Sequence, residues 1–157
     1  MQDSKGRHNH TLSFFYRYQQ KNILIIGGGT IADRRVHTLL SFAEYISVVS
    51  PTVTNELNAL AESGRIQILL RPFETDDLND RDIVLAATDD EELNREICRL
   101  CRERGIPVNA CNDQLLCDFQ FPSIVTDEEI VIGINASGKN HSRVKETRQK
   151  IEHILDH

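Results

Sequence analysis

The chain has 157 residues, of which 39% are hydrophobic and 27% charged, a composition typical of one globular domain or of one domain with an appendage. Its net charge of −6 argues against a general nucleic-acid-binding role. No apolar run reaches membrane-spanning length, and the N-terminus lacks the apolar core of a signal peptide, so a cytoplasmic location with reduced cysteines is expected. Residues 1–11 are polar and aperiodic and predict a disordered tail.

A short apolar run leads directly into a glycine turn near the start of the chain. Residues 23–26 predict a strand buried on both faces, and residues 33–40 are compatible with a helix. Between them, the spacing Gly27-x-Gly29-x-x-Ala32 matches the dinucleotide-binding fingerprint. Gly27 can take the tight turn, Gly29 has no Cβ to keep a pyrophosphate away, and Ala32 lets the helix pack closely on its strand. The alternative is a tight turn that binds nothing.

Strands and helices alternate over the following residues. Further strands are predicted at 45–50, 65–70, 82–87 and 106–108, helices at 34–42, 52–63 and 91–104, and a single helical turn at 76–79. This alternation predicts an α/β fold, a Rossmann-like doubly wound parallel sheet over residues 12–113. A ligand is expected where the loops at the carboxyl ends of the strands converge, at 27–29, 50, 87–89 and 109–113.

The pattern changes after residue 113. Residues 118–122 and 129–135 predict a short strand pair, and a helix is predicted from about 140 to 155. A strand pair with one helix buries little surface alone, so residues 114–157 are predicted to form a dimerisation segment that pairs with a second subunit in a homodimer.

Two polar segments are candidates for chemistry. Residues 139–150 hold five basic residues against one acidic residue, Glu146, which fits a polyanionic small molecule or, alternatively, a solvated helix face. Asn112 and Asp113 follow the fifth predicted strand. A carboxylate there could act as a general base beside a nicotinamide ring, or the two residues could form a turn.

Two further questions are which dinucleotide binds and whether the cysteines hold a metal. Ser50-Pro51-Thr52 occupies the point where most NAD sites have an acidic residue, which leaves NAD and NADP both open. Cys98 and Cys101 share one predicted helix, and the other two cysteines follow at irregular spacing, which favours core thiols over a zinc site, so no metal site is predicted.

Several stretches together resemble one family. These are residues 27–35, 86–90 with Leu93 and Asn94, 107–109, 117–119 and 121–123. From about Leu12 to Glu152 the chain resembles the precorrin-2 dehydrogenases of sirohaem synthesis, some of which are also sirohydrochlorin ferrochelatases. The resemblance implies NAD-dependent oxidation of precorrin-2, which carries eight carboxylates, to sirohydrochlorin. It also implies a homodimer formed through the segment after the Rossmann domain.

The predicted site residues fall into three groups. The cofactor-binding residues are Gly27, Gly28, Gly29, Thr30, Ile31, Ser50, Pro51, Thr52, Ala87 and Thr88. The substrate-binding residues are Lys139, Asn140, His141 and Arg143. The catalytic residues are Asn112 and Asp113.

The chain departs from the family pattern at two motifs. Asn112 stands where the family has an aspartate implicated in dehydrogenation and chelation, and Asn140-His141 replaces a Ser-Pro pair. The family usually continues with a further helical segment, whose lack here is expected to leave the substrate cleft open. Two other functions therefore remain alternatives to that of a dehydrogenase. One is a binding module that senses or carries a nucleotide or tetrapyrrole without turnover, and the other is a chelatase or metal-delivery subunit that uses His141 and the cysteines.

Overall fold

A computed structural model describes residues 17–136 and 140–155. They fall into two compact units that divide after Gln120, whereas the sequence pattern places the division after residue 113. The predicted tail at residues 1–11 lies outside the described residues, as do residues 12–16 at the start of the predicted Rossmann domain.

The N-terminal unit is built on a five-stranded parallel sheet. Its strands are β1 (Asn22–Ile26), β2 (Tyr45–Val49), β3 (Gln67–Leu69), β4 (Ile83–Ala86) and β5 (Val108–Ala110), in the order β3-β2-β1-β4-β5. The helices are α1 (Thr30–Leu39), α2 (Asn55–Glu62) and α3 (Glu91–Glu103), and a 3₁₀ turn (Thr75–Leu78) joins β3 to β4. The chain winds outward from β1 in one direction and then from β4 in the other, which confirms the predicted doubly wound, Rossmann-like fold.

The core explains why the central strands are continuously apolar. All four residues of β4 are buried, and so are the last four residues of β1, because helices cover both faces of a parallel sheet. On one face, Leu24 and Val84 pack with Ile97, Cys98 and Cys101 of α3. Cys98 and Cys101 are fully buried, which confirms the prediction of core thiols. Among the described residues, no group of three or more His, Cys, Asp or Glu side chains is arranged to hold a metal ion.

The fifth strand lies two residues later than predicted, at Val108–Ala110. Asn109 favours turns by propensity, but here it is buried in the strand because its Nδ2 donates to the Phe119 carbonyl at 2.7 Å. The strand predicted at 118–122 is wrong. The N–H of Asp118 donates to the Val108 carbonyl at 2.9 Å, and its Oδ2 accepts from the Val108 N–H at 3.0 Å. This segment therefore folds over the outer edge of β5.

The C-terminal unit holds an antiparallel hairpin and one helix. The hairpin consists of β6 (Ser123–Asp127) and β7 (Ile130–Ile134), and α4 (His141–Leu155) contacts both strands. A strand pair followed by a helix is present as predicted, but the first strand begins at Ser123, after the segment 118–122 in which it was expected. Within the described ranges, no helix has the length and the hydropathy needed to cross a membrane.

Candidate functional site at the carboxyl edge of the sheet

The glycine turn after β1 is so closely packed that two of its positions exclude any side chain. Gly27 has a φ of +113°, and a Cβ added to it would lie 2.3 Å from the Ala87 carbonyl oxygen. A Cβ on Gly28 would lie 2.2 Å from the Thr52 carbonyl oxygen. The turn is therefore wedged between the loops that follow β2 and β4, as the convergence of strand ends predicts.

Gly29 faces open space instead. An added Cβ there would have no heavy atom within 4 Å, and no side chain in the described part of the chain caps α1, whose N-cap is Gly29. The first helical hydrogen bond runs from the Asp33 N–H to the Gly29 carbonyl at 3.0 Å. The N–H groups of Thr30 and Ile31 precede that bond, so they are available to a phosphate at the helix N-terminus. Ala32 is fully buried, as its predicted close packing requires.

The loop after β2 forms one side of the turn. Ser50 is buried, and its N–H donates to the Leu69 carbonyl at 3.1 Å, whereas Pro51 and Thr52 are exposed. The N–H of Thr54, the N-cap residue of α2, donates to the Gly28 carbonyl at 3.0 Å. The predicted cofactor residues at 50–52 therefore lie directly beside the glycines.

The loop after β4 forms the other side. The N–H of Ala87 donates to the Ile26 carbonyl at 2.8 Å, and the hydroxyl of Thr88 lies 2.7 Å from Oδ1 of Asn94. Asn94 is 1% exposed and also donates to Oδ1 of Asn112 at 3.2 Å. Asn94 is absent from the predicted site residues, although it belongs to the stretches that carry the family resemblance. A second signal in the sequence was its position in a predicted helix, next to Leu93 and three residues before Ile97, because a polar residue on the inward face of a helix needs a hydrogen-bond partner.

The two predicted catalytic residues have different environments. Asn112 is exposed, whereas Asp113 is half-buried and is the N-cap of the 3₁₀ turn Gln114–Leu116. Oδ1 of Asp113 accepts from the Leu115 N–H at 2.9 Å. This capping contact fits the turn alternative, and it occupies one of the two carboxylate oxygens.

The predicted substrate residues belong to the C-terminal unit, apart from Lys139, which lies outside the described residues. Asn140 immediately precedes α4, and its Oδ1 accepts from the Arg143 N–H at 3.0 Å, as an N-cap side chain does. His141 and Arg143 are exposed in the first turn. Further along α4, Lys145 and Lys150 are exposed, whereas Arg148 pairs with Glu152 at 2.7 Å.

Residues 14–123 match a protein-family model described as "Putative NAD(P)-binding". The chain belongs to this family. The match covers both the glycine turn and the loops that enclose it. Membership in the putative NAD(P)-binding family confirms the predicted class of cofactor, a nicotinamide dinucleotide.

Curated relatives of this family member carry the name siroheme synthase. The protein of that name from Thioalkalivibrio sulfidiphilus is 38% identical over 90% of this chain and 29% of its own length. The one from a Psychrobacter species is 32% identical over 93% of this chain and 30% of its own length. The chain therefore spans less than a third of these relatives.

A solved structure supports the fold. The structure titled "SirC, precorrin-2 dehydrogenase" superimposes with a TM-score of 0.77, covering 92% of this chain and 71% of its own, at 22% sequence identity. At this level of identity, the likeness shows the shared fold.

Proposed function

We propose that this chain oxidises precorrin-2 to sirohydrochlorin with NAD, as a step of sirohaem biosynthesis. The names of its relatives and of the superimposed structure support the substrate. The observation that carries the proposal is the open N-terminus of α1 at Gly29, in a turn whose Gly27 packs against the loop of Ala87 and Thr88. Asn94 links Thr88 to Asn112 at the same edge of the sheet. This edge can bind a dinucleotide phosphate and can provide a proton-accepting side chain.

The reaction removes two electrons and two hydrogens from the tetrapyrrole. NAD, when bound, supplies the hydride acceptor. The second hydrogen leaves as a proton, which needs a base. The amide of Asn112 is not basic at neutral pH, so the base is Asp113. Its Oδ1 accepts from the Leu115 N–H, and the second oxygen of the carboxylate is the one that would accept the proton.

The residues after β2 support NAD over NADP. Residues 50–54 contain no Lys or Arg that could pair with a 2′-phosphate. The nearby Arg71 donates its N–H to the same Leu69 carbonyl as Ser50, but its guanidinium is bound to both oxygens of Asp77, at 2.9 and 2.6 Å.

The C-terminal unit supports the binding of a tetrapyrrole and the formation of a homodimer, which are further parts of the proposal. The proposal also includes a cytoplasmic location. Exposed Arg143, Lys145 and Lys150 offer positive charge to the carboxylates of a tetrapyrrole. Ile130 and Ile154 are 53% and 71% exposed, which is the kind of apolar surface that a second subunit would cover in a homodimer.

Anaerobic incubation with precorrin-2 and NAD, followed by absorbance, tests the activity. We expect sirohydrochlorin and NADH to form in equal amounts. Asp113→Asn should slow turnover by about 100-fold, a typical effect of losing a general base. No product above the uncatalysed background refutes the proposal. Because Asn112 replaces the aspartate that the resemblance implies, activity that appears only in Asn112→Asp would instead support a binding module without turnover.

A further inference from the structure

The buried amide of Asn94 joins the loops that follow β4 and β5. Its Oδ1 accepts from the Thr88 backbone N–H at 3.2 Å, and its Nδ2 donates to the Thr88 backbone carbonyl at 3.0 Å. A backbone N–H only donates and a backbone carbonyl only accepts, so these two contacts determine which end of the Asn94 amide is oxygen and which is nitrogen.

This polarity determines the orientation of the neighbouring Asn112 amide. The Thr88 hydroxyl can donate its proton to Oδ1 of Asn94 at 2.7 Å or to the Asp90 carbonyl at 3.0 Å, and its oxygen accepts from the Asp90 N–H at 3.2 Å. On the other side, Nδ2 of Asn94 donates to Oδ1 of Asn112 at 3.2 Å. Because a nitrogen of Asn112 could not accept this bond, the oxygen of Asn112 must face Asn94. The Nδ2 group of Asn112 is therefore the end of its amide that faces away from Asn94.

We propose that Asn94 is a positioning residue that orients Asn112, and that Asn112 binds an oxygen acceptor of the ligand through its Nδ2 group. The acceptor is a carboxylate or carboxamide oxygen. A tetrapyrrole carboxylate and the nicotinamide carboxamide both have this chemistry, and both ligands follow from the proposed function on which this inference rests. Asn112 is exposed at the edge where the glycine turn and Thr88 meet, so a ligand can reach it.

This role differs from proton transfer and does not compete with it. An amide N–H donor holds an acceptor in place at any pH near neutrality, whereas a carboxylate at the same position would repel an anionic ligand. Asn112 then contributes binding and orientation, and the proton passes to Asp113.

An isosteric change tests the donor directly. Asn112→Asp keeps an oxygen facing Asn94 and replaces only the other amide atom, so a donor becomes an acceptor. The dissociation constants of NADH and of sirohydrochlorin are measured at pH 8 by fluorescence titration. We expect Asn112→Asp to raise at least one of them about tenfold, and Asn112→Ala to raise the same one by about threefold, since alanine removes the donor without adding repulsion. The ligand that is weakened identifies the source of the acceptor oxygen.

A matched control comes from another exposed amide of the same unit. Oδ1 of Asn79 also accepts from a side-chain donor, Nη1 of Arg104 at 3.1 Å. Asn79→Asp makes the same chemical change away from the site and should leave both dissociation constants unchanged.

The orienting role of Asn94 has its own readout. The pKa of the carboxyl group introduced by Asn112→Asp is measured by NMR, alone and together with Asn94→Leu. The Asn94 donor favours the ionised form, so we expect the pKa to rise by about one unit when the donor is removed. A purely structural role would leave this pKa unchanged. If the leucine variant fails to fold, Asn94→Ala serves instead, because it also removes the donor without adding a charge.

The outcomes separate this inference from the proposed function. Unchanged or tighter binding of both ligands by Asn112→Asp overturns the donor role, even where the wild-type chain turns over precorrin-2. An unchanged pKa overturns the orienting role. Weaker binding by Asn112→Asp in a chain that does not oxidise precorrin-2 supports the inference while refuting the dehydrogenase. A wild-type chain that binds neither ligand contradicts both.

Discussion

Adjacent glycines of the turn should differ in how strongly the same substitution lowers the free energy of unfolding. Gly28→Ala would place its Cβ 2.2 Å from the Thr52 carbonyl oxygen and 2.8 Å from a methyl group of Val53. Real Cβ atoms essentially never lie closer than 3.0 Å to such neighbours, so the backbone has to move by about 0.8 Å. Displacement of this kind in a packed region lowers the free energy of unfolding by about 2–3 kcal/mol. We expect that loss for Gly28→Ala, together with weakened NADH binding.

Gly29→Ala is the matched control. Its Cβ meets nothing within 4 Å, and its φ of −83° suits any residue, so the free energy of unfolding should change by less than about 0.5 kcal/mol. The new methyl group nevertheless lies at the N-terminus of α1, where phosphate oxygens must approach backbone N–H groups. Loss of one or two such charge-assisted hydrogen bonds raises the dissociation constant of NADH about 10- to 100-fold.

Urea unfolding and NADH fluorescence titration measure the two effects separately. If Gly29→Ala binds NADH as tightly as the wild-type chain, the phosphate does not approach at this point and the reasoning fails. Destabilisation by Gly29→Ala equal to that of Gly28→Ala would contradict the open space seen beside Gly29.

Three further predictions concern charge and burial. The Arg71 guanidinium holds the pKa of Asp77 below its ordinary value, so the ion pair stabilises the fold above about pH 4 and is lost as pH falls through the lowered pKa. Asp77→Asn should therefore reduce the free energy of unfolding by about 1–3 kcal/mol at pH 7 and flatten its acid dependence, which urea unfolding between pH 3 and 7 measures. Burial raises the pKa of Cys98 to about 11 and that of Cys101 to about 12, so neither thiol should react with a thiol-labelling reagent at pH 8 until the chain is unfolded. Rapid labelling of the native protein would contradict their burial in the core. Arg143→Ala should raise the dissociation constant of sirohydrochlorin about threefold at low salt and less at high salt, with NADH binding unchanged; an effect independent of salt would argue against a charge contact.

The parallel sheet could be predicted from the sequence because its signals are local. The apolar run at 23–26, the glycines after it and the recurring helical spacing each depend on neighbouring residues, and the observed strands β1 to β4 lie where those signals are. The N-cap of α3 is equally local, since Oδ1 of Asp90 accepts from the N–H groups of Glu92 and Leu93.

The features that could not be predicted depend on contacts between distant residues. Gly28 is required because the Thr52 carbonyl lies against it, a contact that a fingerprint of spacings does not contain. Asn109 is a strand residue because of a hydrogen bond to a carbonyl ten positions later. Asn94 belongs to the candidate site only because the fold brings residues 88 and 112 to its two sides. In each case a tertiary contact overrides or supplements a local preference.

The contact of Asp118 with β5 also affects how copies of this chain can associate. An edge strand exposes a row of N–H and carbonyl groups that can pair with a strand of another molecule, which is a common route to aggregation. Here both outward backbone groups of Val108 are already bonded within the chain, one by the backbone and one by the carboxylate of Asp118. The opposite edge is β3, only three residues long. Neither edge of the parallel sheet therefore offers a neighbouring molecule a long, open template for strand addition.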